Sequence, residues 1–194
     1  MTLIASVFIA TSLDGFIARE DDSLDWLDAA NATVPEGEDC GYTAFMNSVD
    51  ALIMGRATYE RVLSFEHWPY EKKTVIVLSS RPLDIPDNLR NTVEHSSEAP
   101  DKLHQRLSKK GLHRIYIDGG ITIQRFLEAG LINDLTITII PIILGKGKSL
   151  FGDLDKEIAL QHITTKSYEF GFSQSTYRVT IKEKTQQSLQ SLGA

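Results

Sequence analysis

The sequence predicts a single α/β domain: a mainly parallel central sheet flanked by helices, with an antiparallel hairpin at its C-terminal edge. Three observations predict it. Short, near-continuous runs of Ile, Val and Leu recur along the chain, as strands covered on both faces require. Helix-period segments separate several of these runs, so the strands they join run parallel through crossovers. After Ala129 the alternation stops and a β-rich stretch with a hairpin signal follows.

The elements follow in chain order. Leu3–Ala10 is the first strand. It is short and apolar like the core of an export signal, but no Lys or Arg precedes it, and Asp14, Arg19, Glu20, Asp21 and Asp22 follow at once. Ala51–Met54, Thr74–Leu78, Arg114–Ile117 and Leu135–Ile143 are further strands, and Val93 marks another short one. Leu135–Ile143 is expected at a sheet edge, where a second copy of the chain would cover it. Tyr42–Ser48 reads as a short helix with Asp39 as its cap, and Arg56–Leu63 as a helix that leaves its strand across Gly55. Pro100–Lys110 pairs Leu103 with Leu107 and ends at Gly111. Ile121–Ala129 carries Ile123, Phe126 and Leu127 on one face and stops at Gly130. Ala159–Tyr168 and Phe172–Lys182 flank Glu169-Phe170-Gly171 as a hairpin, with Tyr177, Val179 and Ile181 alternating. Residues 1–183 form the domain, and 184–194 are a polar, aperiodic tail expected to be flexible.

Composition narrows the function. A chain of 194 residues buries enough surface to fold without disulfides or metal. A net charge of -6 argues against a nucleic-acid partner, though a local basic pocket for a small phosphate ligand stays open. The single Cys40 fits a reducing compartment and reads as a small packed hydrophobe. No run of 18 apolar residues exists, so no membrane-spanning helix is expected and the protein is read as cytoplasmic. The five His residues are scattered, so no metal site is expected. Gly147-Lys148-Ser149 lacks the earlier glycine of a P-loop.

Three junctions carry chemistry. Ala51-Leu-Ile-Met54 runs into Gly55-Arg56-Ala57-Thr58, so a helix start with free N–H groups, a guanidinium and a hydroxyl can meet a phosphate. Ile115-Tyr116-Ile117 runs into Asp118-Gly119-Gly120, where two glycines admit close backbone approach. Leu78-Ser79-Ser80-Arg81-Pro82 closes another strand with two hydroxyls and a guanidinium, which suit a phosphate ester. Each also reads plainly as a turn or polar loop. Two strand–glycine–helix junctions in one small sheet are more telling than either, because ligands bind outside the carboxyl ends of such strands. In Ala10-Thr-Ser-Leu-Asp14-Gly15-Phe-Ile17-Ala18, strand, turn and re-entry can leave backbone groups free for an amide-bearing ligand.

Together these stretches resemble the dihydrofolate-reductase-like superfamily, and within it the reductase domain of bacterial riboflavin biosynthesis. The resemblance spans residues 3–182 and includes Pro141-Ile-Ile-Leu-Gly-Lys-Gly-Lys-Ser-Leu-Phe151. It implies NADPH as cofactor. Ala10 and Ile17 match positions whose backbone meets the nicotinamide amide, and Gly55, Arg56 and Thr58 the pyrophosphate-side helix start. Leu78, Ser79, Ser80 and Arg81 match the adenosine and 2′-phosphate loop. Gly119, Gly120, Ile121 and Thr122 match the second glycine turn. On the substrate side the resemblance implies Asp39 as the acidic residue that orients a ring and helps deliver a proton, although Asp39 also reads as a helix cap. It implies Trp26 as a pocket wall and Thr138 as a substrate contact.

Two departures stand out. No His-x-Glu with Pro-Cys-x-x-Cys is present, so a deaminase is excluded. Between Ala18 and Tyr42, where such enzymes grip a phosphoribosyl group, only Arg19 is basic among eight carboxylates. The resemblance therefore implies a homodimeric NADPH-dependent reductase of a small pyrimidine- or pterin-type substrate, similar to 5-amino-6-(5-phosphoribosylamino)uracil reductases. A dihydrofolate reductase-like activity resting on Asp39, or an NADPH-binding module without turnover, are the alternatives.

Overall fold

A computed structural model describes residues 2–180. Met1 and residues 181–194, which hold the end of the expected last strand and the expected tail, lie outside the described residues. Eight strands form one sheet in the order β5-β4-β3-β6-β1-β7-β10-β9. They are β1 (Ile4–Ser12), β3 (Ala51–Gly55), β4 (Thr74–Leu78), β5 (Val93–Ser96), β6 (Arg114–Asp118), β7 (Ile132–Ile140), β9 (Ala159–Ser167) and β10 (Ser173–Thr180). The short β2 (Phe16–Ala18) and β8 (Lys148–Ser149) pair separately. The helices are α1 (Asp25–Asn31), α2 (Tyr42–Ser48), α3 (Arg56–Leu63), α4 (Pro100–Lys109) and α5 (Gly120–Glu128). The pairings from β5 through β7 are parallel, and β10 runs antiparallel to both β7 and β9.

The continuous apolar runs have a direct cause. Alternate residues of one strand enter different cores. Ala51, Ile53, Ile76, Ile115 and Ile117 pack under Leu103 and Leu107 of α4 and Ile123, Phe126 and Leu127 of α5. Leu52, Met54, Val75, Val77 and Tyr116 pack on the other face, under Phe45 of α2 and Tyr59 and Val62 of α3. Helices thus cover both sides of the central strands. A third, smaller core joins Trp26, Ile140 and Phe172 beneath α1.

Two expectations need correction. The run Leu135–Ile143 is not an edge: β7 lies between β1 and β10, because the C-terminal hairpin folds back and pairs with it. The strand also stops before Pro141, which has no N–H for the ladder. Among the described residues the edge on that side is β9, whose side chains from Leu160 onward are all exposed. Helix α1 was not expected, because acidic residues break up its apolar pattern. Burial of Trp26 holds it in place.

The sheet also opens where the site will lie. The β1–β6 ladder pairs Ile4–Ser6 with Arg114–Tyr116 and goes no further. Beyond it the Tyr116 hydroxyl donates to the Phe8 carbonyl at 2.8 Å, bridging the widening gap. No helix among the described residues is long and apolar enough to cross a membrane.

Phe126 is fully buried under α5, so Phe126→Ala is expected to cost about 3–5 kcal/mol of stability, read as a lowered urea midpoint at unchanged slope.

Candidate active site

One large cleft, of about 1460 Å³, opens over the carboxyl ends of the parallel strands. Every sequence-predicted site residue except Trp26 lines it: Ala10, Ile17, Asp39, Gly55, Arg56, Thr58, Leu78, Ser79, Ser80, Arg81, Gly119, Gly120, Ile121, Thr122 and Thr138. Trp26 is only 3% exposed and packs behind the wall against Ile140 and Phe172. The expectation that it faces a substrate is corrected accordingly: an indole large enough to nucleate the third core is spent there.

The two glycine junctions interlock. A Cβ on Gly119 would collide with the Thr58 hydroxyl, and one on Gly55 would stand 3.1 Å from the Thr122 hydroxyl. Each junction's threonine thus fills the space over the other junction's glycine. Gly119 also has φ +86, which an L side chain rarely adopts. The starts of α3 and α5 are brought together by this contact, and neither has a side-chain cap. Two helix N-termini with open N–H groups therefore face one cleft, an arrangement that favours an anion.

Arg56 does not reach into the cleft as a free cation. Its Nε donates to Ser79 Oγ (3.0 Å), its Nη2 to the carbonyls of Arg81 and Pro82, and its Nη1 to Glu60 (3.2 Å). It ties the loop after β4 to the first glycine junction. The Ser79 hydroxyl is held inside this loop, donating to the Arg81 carbonyl at 2.8 Å. Ser80 and the Arg81 side chain are exposed at the rim and remain available to a ligand.

Where β1 parts from β6, the Phe8 carbonyl faces the gap. Strand geometry turns the N–H and C=O of Ala10, two residues on, to the same side. Those groups lie along the cleft beside Ile17, whose side chain borders Gly120.

Two carboxyls in the cleft differ sharply. Asp39 is exposed and accepts from the backbone N–H groups of Gly41 (2.8 Å) and Thr43 (2.9 Å) at the start of α2. The Thr43 hydroxyl, then these N–H groups, hold it below the usual carboxylate range. It holds the turn that leads through the N-cap Gly41 into α2, with each oxygen accepting one N–H, and it is ionised near neutral pH. Asp118 is the opposite case. It ends β6 at the base of the cleft, and burial pushes its carboxyl from the ordinary 3.8 up to about 6, against the weaker pull of the Gly119 N–H and the Tyr116 hydroxyl. Burial first, and then the charge of Asp118, also raise Tyr42 (to about 12), Tyr70 and Tyr116. The sequence reading missed Asp118 as a functional group. The available signal was its place immediately before two glycines at the end of a central strand.

Thr138 is buried on β7, and its hydroxyl accepts from Gln174 Nε2 (2.9 Å), which also binds the Cys40 carbonyl (3.0 Å). Among the described residues no group of three or more His, Cys, Asp or Glu is placed to hold a metal ion.

With this geometry established, comparison with known proteins becomes specific. The model of the RibD C-terminal domain matches residues 4–172. The chain belongs to this family. It is 37% identical to the uncharacterized protein YwjB of Bacillus subtilis over 165 residues, 84% of this chain and 90% of that one. A solved structure from Shewanella sp. PV-4, whose name links it to riboflavin biosynthesis, is 40% identical with a TM-score of 0.86, covering 92% of this chain and 99% of that one. A dihydrofolate reductase from Enterococcus faecalis, solved with NADP(H), matches in fold alone, at 19% identity and a TM-score of 0.61 over 92% of this chain and 97% of that one. The RibD C-terminal domain is a reductase domain, and the expected dihydrofolate-reductase-like α/β fold is the one observed.

Gly119→Ala adds both a collision with Thr58 and an unfavourable φ, so a loss of about 1–3 kcal/mol is expected. Adding Thr58→Ala should recover only the steric part. Paired thermal unfolding of the two variants checks this.

Proposed function

We propose that this RibD C-terminal domain is an NADPH-dependent reductase acting on a C=N or C=O bond of a small pyrimidine- or pterin-type substrate, similar to 5-amino-6-(5-phosphoribosylamino)uracil. The observation that carries the reading is the interlocked pair of glycine junctions. It sets two uncapped helix starts beside the exposed Ser80 and Arg81 in the cleft.

These residues fit the proposed cofactor. The N–H groups at the starts of α3 and α5 suit a diphosphate, with Thr58 and Thr122 keeping both turns in place. Ser80 and Arg81 suit the additional phosphate that distinguishes NADPH from NADH. The free backbone edge at Ala10, with Ile17 opposite, suits a carboxamide. NADPH would supply the hydride. The chain's own part is to orient substrate against cofactor, to shield the site, and to hold a proton on Asp118. A carboxyl titrating at about 6 keeps that proton to higher pH than an ordinary Asp does. Asp39, tied to the start of α2, supports a structural role, which weighs against the dihydrofolate reductase-like alternative that rests on it.

Two experiments test the reading. Nicotinamide fluorescence should show saturable NADPH binding with a large preference over NADH. Arg81→Gln should weaken NADPH by ~10-fold, the value of one lost charge-assisted contact of about 1.4 kcal/mol, and leave NADH nearly unchanged. Absence of saturable binding of either nucleotide would remove the reading. Asp118 makes the second test. Between about pH 4 and 6 the unfolded chain has released this proton while the native protein still holds it, so stability contributed here falls as pH rises through that window. Asp118→Asn should flatten that slope in pH-dependent unfolding. It should also abolish the fall in turnover expected for the native enzyme above about pH 6. An unchanged pH–rate profile would rule out Asp118 as the proton donor.

A further inference from the structure

Away from the glycine junctions, Arg61 lines the cleft with its Nε buried and without a hydrogen-bond partner. Helix α3 turns Thr58, Arg61 and Val62 toward the cleft at helical spacing, and Phe65 lines it just past the end of the helix. Thr58 marks the junction with Gly119. Arg61 lies roughly 5 Å further along the helix axis, away from the converging helix starts.

Two other cations of the cleft are held by partners. Arg56 holds the loop after β4, and Lys148 pairs with Asp22. Arg81 at the proposed cofactor rim and Arg125, one turn beyond Ile121 on α5, are exposed, whereas Arg61 is half-buried. Arg19, the one basic residue in the acidic stretch before α2, is locked to Asp25 through two bonds of 2.6 and 2.9 Å. Arg61 is different. Among the described residues no carboxylate lies within ion-pair distance of it, although Glu36, Glu38 and Asp39 line the same cleft. Its Nη1 makes only a long contact to Ser64 Oγ (3.5 Å). Its Nε is shielded from solvent and has no hydrogen-bond partner. The guanidinium stands over the Phe65 ring, 5.6 Å from its centroid. That contact orients the fork and lowers the local dielectric but satisfies none of its donors.

We propose that Arg61 receives an anionic group of the substrate, a carboxylate or a phosphate, carried on the part of the molecule remote from the reducible bond. The planar fork matches either group by two parallel hydrogen bonds. The inference rests on the reductase reading, since NADPH must fill the helix-start half for the α3 half to take the substrate. It assigns the anion to α3 instead of the acidic stretch between Ala18 and Tyr42, whose single Arg is already paired.

The test uses the intact protein saturated with NADPH, which occupies the phosphate-binding half. Ribose 5-phosphate and 4-aminobenzoate, with ribose as the uncharged control, are titrated by calorimetry into native protein, Arg61→Gln and Arg61→Lys. At least one anion should bind saturably where ribose does not, and which one does so separates phosphate from carboxylate. Arg61→Gln should weaken it by ~10-fold or more, and Arg61→Lys, which keeps the charge and loses the fork, by less. NADPH affinity should stay within about twofold in both variants, showing that they are folded. If NADPH binds native protein and neither anion does, or if Arg61→Gln and Arg61→Lys bind it as native protein does, the assignment is overturned and the reductase reading survives. If NADPH itself fails to bind, both fall together.

Discussion

The site depends on one contact made twice. The Thr58 hydroxyl occupies the space over Gly119, and the Thr122 hydroxyl the space over Gly55. An extra atom on Gly119 would collide with Thr58, and one on Gly55 would crowd Thr122, so the turns leaving β3 and β6 are packed against each other. The consequence is electrostatic. Two helix starts, far apart in sequence, present their open N–H groups to one volume. Arg56 adds a third loop to the same rim by spending its donors on Ser79 and on the Arg81 and Pro82 carbonyls. Three strand ends become one binding surface, and the Arg81 side chain is left free because Arg56 is not.

The two cleft carboxyls show how environment divides labour between identical groups. Asp39 sits in solvent at a helix start, surrounded by donors, and stays ionised. Asp118 sits at the base of the sheet's opening among phenols, with one backbone donor, and burial dominates. The same group is an ionised acceptor of backbone N–H groups in one place and is pushed toward its protonated form in the other.

Much of the fold was legible because the central strands are buried on both faces and read as unbroken apolar runs. Gly55 and Gly119–Gly120 were legible as junctions because a turn into a helix start demands small residues. Other features left no comparable trace. Helix α1 is held by Trp26 rather than by its own periodicity, and that same burial removes Trp26 from the cleft wall. The edge passed from β7 to β9 because the hairpin chose its partner through tertiary pairing. Arg56 read as a phosphate ligand because its neighbours across 23 to 26 residues are invisible in a local window.

The sequence by itself determined the order of the central strands and the helices that join them, the positions of the glycine turns and the set of polar groups at the strand ends. These follow from local rules: burial pattern, backbone freedom and helix-start chemistry. Only the tertiary structure decided which of those groups remain free. Arg56 and Asp39 are consumed by partners, while the Arg81 side chain stays exposed. The reason is that availability to a ligand is set by what else lies within hydrogen-bonding reach, and that depends on how distant segments pack.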